Sequence, residues 1–390
     1  MSHISDAVSP AVSEHVIAAA LASLPLVGPK RLRVLMNELG ARDAWRTIRG
    51  ELAPNARIAA LCAQHDVGRV WRQAATERLL TQVEESLATH HISVVLMHDP
   101  EYPDALRGDP AGPAVLFARG NMSALENRRV GVVGTRAASA AGRHFARKLS
   151  CELAAHGVAV VSGLARGIDA AAHLGVLDAA TDAGVLDAAT RGTALPIGVV
   201  ASGLDVVYPR EHAKLWHDVA RHGVLLSESP PGCAPDAFRF PLRNRILAAL
   251  SEVLVVVESR ATGGSMITVE EALKRGITVM AVPGAPHNTT SVGANLLLSQ
   301  GASPVCDAMD VFVALGLDHQ RHRAYRDTRV PPSPDDQLVL EALLGQPLTF
   351  DQLVRQLDLP IQEVAVRIGH LETQGWVTAN AGWWEALVSP

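Results

Sequence analysis

Apolar positions along this 390-residue chain change period twice. Over residues 11–90 they recur at helical spacing, with almost no strand signal. From 92 to 316 short valine-rich runs take over, and the pattern predicts strands at 92–98, 114–118, 129–134, 158–163, 196–202, 224–229, 253–258 and 278–284. Amphipathic stretches such as 142–157 and 211–223 fill the intervals. Runs that are apolar throughout, separated by helices, imply a parallel sheet covered on both faces. Beyond 338 the helical period returns as three helices and a short hairpin, a winged-helix pattern. Thr349 is suited to cap the second of these helices and Pro360 to start the third.

The fold class is therefore α/β: a Rossmann-like parallel-sheet domain over 92–316, a helical domain over 1–91 and a winged helix over 338–390. A basic, proline-rich linker spans 317–337. Within the first domain, LASLPLVGPKRLRVLMNELG (21–40) reads as a helix, a tight turn and a second helix. This resembles a helix-hairpin-helix motif, with Leu26 where the motif's first turn glycine usually stands. Lys30, Arg31 and Arg33 crowd that second helix start as possible auxiliary DNA contacts, and a purely structural hairpin is the other reading. The heptapeptide GVLDAAT occurs at 175–181 and again at 184–190, a short duplication that we read as a lengthened helix–strand connection without function.

Composition excludes some classes. No run of 18 apolar residues is present to span a membrane, and the polar N-terminus lacks the features of a secretory signal. Cys62, Cys151, Cys233 and Cys306 lie far apart, so neither a zinc site nor a disulfide framework is expected, and a reducing cytoplasm fits best. The net charge of -5 does not mark a general polyanion binder. Residues 335–390 hold two basic and eight acidic side chains, which makes the winged helix the least suitable place for nucleic acid.

The chemistry gathers at the predicted strand ends, where α/β sheets bind ligands. Gly134-Thr135-Arg136, the loop from Ser162 to Asp169, Ser202-Gly203, Ser227-Glu228, Gly263-Gly264-Ser265 and Pro283-Gly284 follow successive strands. Arg136, Arg166, Arg243 and Arg245 are expected to converge there. In FPLRNRILAAL (240–250), Phe240 and Pro241 read as irregular and Ile246 as near a helix start. Arg243 and Arg245 then sit at the wrong pole of the helix dipole unless an anion, or an internal carboxylate, accompanies them. The first βα turn, GVVGTRAASAAG, lacks the dinucleotide fingerprint, no Walker lysine motif occurs, and no cofactor is expected. Asp169 is expected to cap its helix or pair with Arg166, and Glu258 to be a buried strand-end acid. His173 reads as a helix residue packed on the sheet. Trp376, Trp383 and Trp384 read as winged-helix core and partner surface.

YPxxL (102–106), VGTR (133–136) with Ser139 and Gly142, SGLARGIDAAAH (162–173), SGLDVVYP (202–209), FPLRNRI (240–246), GGSMIT (263–268) and GANLLLSQGA (293–302) together resemble the DNA-processing protein A (DprA/Smf) family over about 200 residues. The resemblance implies a cytoplasmic homodimer that binds single-stranded DNA and hands it to the RecA recombinase during natural transformation, without enzymatic activity. It places DNA contacts on Thr135, Arg136, Ser139, Gly163, Arg166, Gly167, Lys214, Arg243, Asn244, Arg245, Gly264 and Ser265. Gly263 stands where the family usually has serine. A competing class is the phosphoribohydrolases of nucleoside monophosphates, whose P-G-G-x-G-T-x-x-E loop is matched at Glu270 but not at the preceding proline, the glycine that Met266 replaces or the threonine that Ile267 replaces.

Overall fold

The computed structural model describes residues 12–182, 194–317, 329–380 and 382–387. The second GVLDAAT copy and Arg321, Arg323 and Arg326 of the linker lie outside them. Nine strands form the large sheet: β1 (Ser93–Leu96), β2 (Val115–Gly120), β3 (Arg128–Val133), β4 (Val158–Ser162), β5 (Ile197–Val199), β6 (Val224–Ser227), β7 (Val253–Val256), β8 (Thr278–Ala281) and β9 (Ser303–Pro304). Their order is β1-β2-β6-β5-β4-β3-β7-β8-β9. The strands from β3 to β9 run parallel.

All eight expected strands are present, with two departures. β1 and β2 join antiparallel at the β6 edge, so the sheet is mixed. β9 adds a two-residue edge strand that the pattern did not predict. Alternate residues of each central strand feed opposite faces. Val132, Val160 and Val255 pack with the helix Ala140–Ala155 in one cluster. Val133, Val161 and Val256 join Ile246, Leu247 and Leu250 of the helix Arg239–Leu250 in another. Burial on both sides explains why these strands read as continuous apolar runs.

The sheet winds outward from β3 in two directions, through β4, β5 and β6 on one side and β7, β8 and β9 on the other. The loops after β3 and β7 therefore diverge to opposite faces and leave a crevice at the switch point.

Five helices between Glu14 and Thr89 form the N-terminal part. Its apolar cluster, which includes Leu21, Leu35 and Trp71, continues into Phe117, Leu164 and Trp216 of the sheet domain. The turn between its first two helices places Leu26 at φ 61° and Gly28 at φ 52°. Arg31 Nη1 closes this turn onto the Leu26 carbonyl at 2.7 Å, and the Trp71 indole holds the Pro25 carbonyl at 2.9 Å. Arg33 donates to the Asp109 carbonyl at 3.1 Å and to that of Pro110, so it docks the hairpin on the sheet domain. Of the three cations at this helix start, Arg31 and Arg33 thus serve the fold, and Lys30 is exposed.

In the winged helix, Pro334–Leu344, Phe350–Leu357 and Ile361–Thr373 pack against β10 (Leu348–Thr349), β11 (Val377–Asn380) and β12 (Trp383–Ala386). Thr349 caps the second helix through a capping box with Gln352, and Pro360 precedes the third. Trp376 and Trp384 pack on its core. The wing rests on the sheet domain: the Glu385 carboxylate accepts from the Ala141 N–H at 3.3 Å, at the start of Ala140–Ala155.

Helices Ala140–Ala155 and Ile168–Asp182 cross closely at Gly175, where a Cβ would lie 2.0 Å from the Arg147 carbonyl oxygen. Alanine is the better helix former by about 1 kcal/mol. Gly175→Ala is nevertheless expected to lower the urea unfolding midpoint, because two helix backbones must separate. An unchanged or higher midpoint contradicts this packing.

Candidate nucleic-acid interface

At the switch point lies a cavity of about 490 Å³. The β3 loop supplies Thr135 and Arg136, the β7 loop supplies Arg260, Gly263 and Gly264, and the helix Arg239–Leu250 supplies Phe240, Arg243 and Asn244. The two loops are stitched together at their base by the Thr135 N–H, which donates to the Glu258 carbonyl at 2.7 Å.

The helix begins at Arg239, seven residues before Ile246, because proline is tolerated in a first turn whose N–H groups lack intrahelical partners. The sequence expectation of RNR at a helix start is thereby corrected. Arg243, Asn244 and Arg245 sit in the second turn, and Arg239 takes the N-terminal position. Arg243 is only 7% exposed. Its Nη1 donates to the Gly163 carbonyl at 2.9 Å and to that of Val199, and its Nε to Asn244 Oδ1 at 3.1 Å. Asn244 in turn donates to the Gly264 carbonyl at 3.3 Å. Arg243 thus spans the ends of β4 and β5, and Asn244 links the helix to the β7 loop.

Arg245, 9% exposed, turns away from the cavity to the Glu228 carboxylate and the Ala111 carbonyl. For this residue the internal carboxylate, not an external anion, answers the electrostatic question. Burial raises the Glu228 carboxyl, and Arg245 pulls it back.

Asp169 pairs differently than expected. It is buried and lies within the field of Arg243 rather than bonding Arg166. Burial pushes its carboxyl up against the pull of Arg243, and the same burial pushes the guanidinium down against the pull of Asp169. Gly163 lies between the two: a Cβ there would sit 2.0 Å from Arg243 Nη1 and 2.6 Å from Asp169 Oδ2.

Arg166 is exposed and pairs with Glu211, which raises the guanidinium and lowers the carboxyl. Gly167 holds a left-handed turn at φ 77°, and Lys214 is exposed in the first turn of Ala213–His222. Ser139 caps Ala140–Ala155 by accepting from the Gly142 N–H at 2.9 Å. Its own N–H and hydroxyl donate to buried Glu258 at 2.9 and 2.6 Å, as a strand-end acid should allow. The Ser265 hydroxyl is engaged with Ser259 at 2.7 Å.

Of the twelve positions marked in the sheet domain, Thr135, Arg136, Arg243, Asn244, Gly264 and Ser265 therefore line one cavity. Ser139, Gly163 and Gly167 shape it from behind. Arg166 and Lys214 form a separate exposed rim, and Arg245 lies outside the cavity.

Sequence reading missed two features. Arg260 is exposed and faces the cavity, although no motif position marks it. Phe240 carries the Arg136 guanidinium 4.9 Å from its ring centroid, with the Tyr208 ring 5.7 Å away. Cation and aromatic faces thus coincide at the rim, a combination suited to phosphate and base together. Glu270, the residue that matched the phosphoribohydrolase loop, is exposed and does not line the cavity.

A mostly parallel sheet whose switch-point cavity is walled by glycines and arginines defines a Rossmann-like α/β protein. Residues 93–316 match the DNA recombination-mediator protein A family and residues 324–382 the DprA winged helix domain. The chain belongs to the DNA recombination-mediator protein A family. It is 38% identical over 225 residues to the Bacillus subtilis DNA processing protein DprA, covering 57% of this chain and 71% of that protein. The solved Streptococcus pneumoniae DprA superposes with a TM-score of 0.61 at 26% identity, covering 80% of this chain and 99% of that one. The Helicobacter pylori DNA processing protein A, whose structure addresses its single-stranded DNA binding mode, gives 0.50 at 25% identity over 59% of this chain and 99% of its own.

His173 sits behind this cavity, fully buried on the sheet. Burial pulls its imidazole down to about 4, and the charges of Arg243 and His212 act in the same direction. A depressed folded value means that stability is complete above the unfolded value of about 6.5 and is lost as pH falls toward 4. Between pH 6.5 and 5 the loss from this one group is about 2 kcal/mol. Urea titrations across that range should show His173→Gln with a shallower fall than the parent protein. Parallel pH profiles would contradict the assignment.

Proposed function

We propose that this protein binds single-stranded DNA in the switch-point cavity and acts as a recombination mediator rather than as an enzyme. The observation that carries the reading is the rim itself. Exposed Arg136 lies over the Phe240 ring, and exposed Arg260 lines the same cavity, beside glycine-rich loops and the N-terminus of Gly264–Leu273. Cations there neutralise phosphates, backbone N–H groups approach them closely, and the aromatic face accepts any base. The relationship to a protein studied for its single-strand binding mode supports the same ligand. Delivery of that strand to RecA in natural transformation extends the reading on family grounds.

A homodimer is part of the proposal. Val292 and Leu296 on one helix and Met309 and Val313 on another remain exposed, more apolar surface than a solitary domain leaves without purpose. Two cavities on one strand would raise avidity through effective concentration. The winged helix serves protein contact in this scheme. Arg367 on its third helix is engaged with Glu363 and the Asp335 carbonyl, while Ile361, Val366 and Trp383 stay exposed. The exposed or half-buried thiols of Cys62, Cys233 and Cys306 accord with a reducing cytoplasm.

Affinity for oligo-dT should fall steeply with salt, with a log–log slope of about -0.7 for each phosphate neutralised. Arg136→Ala combined with Arg260→Ala should weaken binding and flatten that slope by roughly 0.7 per cation removed. Unchanged slope and affinity would remove this cavity from the DNA path. Light scattering tests the dimer. The wild type is expected at twice the monomer mass and Leu296→Glu with Val313→Glu at monomer mass, whereas a wild-type monomer at every concentration contradicts the assembly.

A further inference from the structure

A second cavity, of about 470 Å³, lies on the other side of the same helix. The helical period divides the segment 238–247 between the two spaces. Phe240, Asn244 and Leu247 face the switch-point cavity, and Phe238, Arg239, Leu242 and Ile246 face the other. Buried Arg243 forms part of the wall of both. The opposite wall of the second cavity comes from the N-terminal domain, where the turn Leu24–Pro29 is held rigid by the Arg31 and Trp71 hydrogen bonds.

Its chemistry repeats that of the first. The Arg239 guanidinium lies 4.9 Å from the Phe238 ring centroid, the same separation as Arg136 over Phe240. Phe238 is 60% exposed and Leu26, across the cavity, 62%. Two large apolar side chains left in water face each other across a cleft that also carries Arg31 and Arg239. Ser229, whose hydroxyl receives Arg239 Nη1 at 3.3 Å, adds a polar group at the wall.

We propose that this cleft is a second nucleotide subsite for single-stranded DNA. A base enters between Phe238 and Leu26, and the adjoining phosphate lies near Arg239 and Arg31. The inference rests on the switch-point cavity as the primary single-strand site. The Arg243 wall shared by the two cavities, and the repeated arginine-on-phenylalanine pair, assign the occupant. A strand leaving Phe240 reaches Phe238 by crossing the helix start. The helical hairpin then contributes to DNA binding through its apolar turn rather than through the Lys30 cation.

The test uses the full-length protein and fluorescent oligo-dT of two lengths, about 4 and about 12 nucleotides, the shorter near the smallest single-strand site size. Phe238→Ala and, separately, Leu26→Asp are the variants. Leu26 holds a left-handed backbone that aspartate tolerates, and both side chains are exposed, so neither change disturbs the core. Each is expected to weaken the longer oligonucleotide about fivefold or more while leaving the shorter nearly unchanged. Arg136→Ala should weaken both lengths. If Arg136→Ala weakens both while Phe238→Ala and Leu26→Asp leave the longer oligonucleotide unaffected, the second subsite is overturned and the first stands. Equal weakening of both lengths by the Phe238 and Leu26 variants overturns the subsite as a separate space. An Arg136→Ala variant that binds both lengths normally removes the primary site on which the subsite rests.

Discussion

A guanidinium enclosed among the carboxyl ends of parallel strands organises this protein. Arg243 enters from the helix Arg239–Leu250 and satisfies carbonyls after β4 and at the end of β5. Strand ends in a parallel sheet expose carbonyls that no neighbouring strand saturates, and an unpaired buried carbonyl or cation costs several kcal/mol. Here each answers the other, with Asp169 supplying a compensating charge across Gly163. Without that arrangement the helix loses its tie to the sheet, the β3 and β7 loops lose the wall that shapes their crevice, and the rim residues lose their relative positions.

Burial therefore divides the arginines into two kinds. Arg243 and Arg245 are structural, enclosed and engaged with internal carbonyls and a carboxylate. Arg136 and Arg260 are exposed at the opening. An enclosed guanidinium cannot release counterions when an anion arrives, whereas an exposed one can, so in the proposed function the salt-dependent part of DNA binding belongs to the second kind. The buried pair still shapes the field, because Arg243 borders both cavities beside the helix. The acidic winged helix stays out of that field. It meets the sheet domain through Glu385 at the helix start Ala140–Ala155, a carboxylate at the favourable pole of the helix dipole.

Much of this was legible in the chain. Valine-rich runs marked all eight longer strands because both sheet faces are buried, and Thr349 and Pro360 marked two helix starts through capping chemistry. Direction was not legible: a four-residue apolar run such as β1 reads alike in parallel and antiparallel pairing. The two-residue β9 is shorter than any period. Pro241 concealed the true start of the RNR helix, which displaced Arg243 and Arg245 from core to surface in the sequence reading. Proximity in sequence suggests a helix cap for Asp169 or a pair with Arg166, yet the fold sets Arg166 against Glu211 and Asp169 in the field of Arg243. Arg260 and Phe240 come together at the rim through three-dimensional juxtaposition alone, and nothing in their local spacing announces it.

The division between enclosed and exposed arginines, and the DNA contact proposed for the second kind, can be observed directly. Arginine side-chain N–H signals, recorded by NMR on selectively labelled full-length protein, report both solvent exchange and ligand contact. The account predicts that Arg243 Nε–H is protected from exchange before any DNA is added and stays so afterwards. Arg136 and Arg260, exchanging rapidly in the free protein, should shift and slow when oligo-dT is titrated in. Rapid exchange of Arg243 in the free protein, or a titration that leaves Arg136 and Arg260 unmoved at saturation, would contradict it.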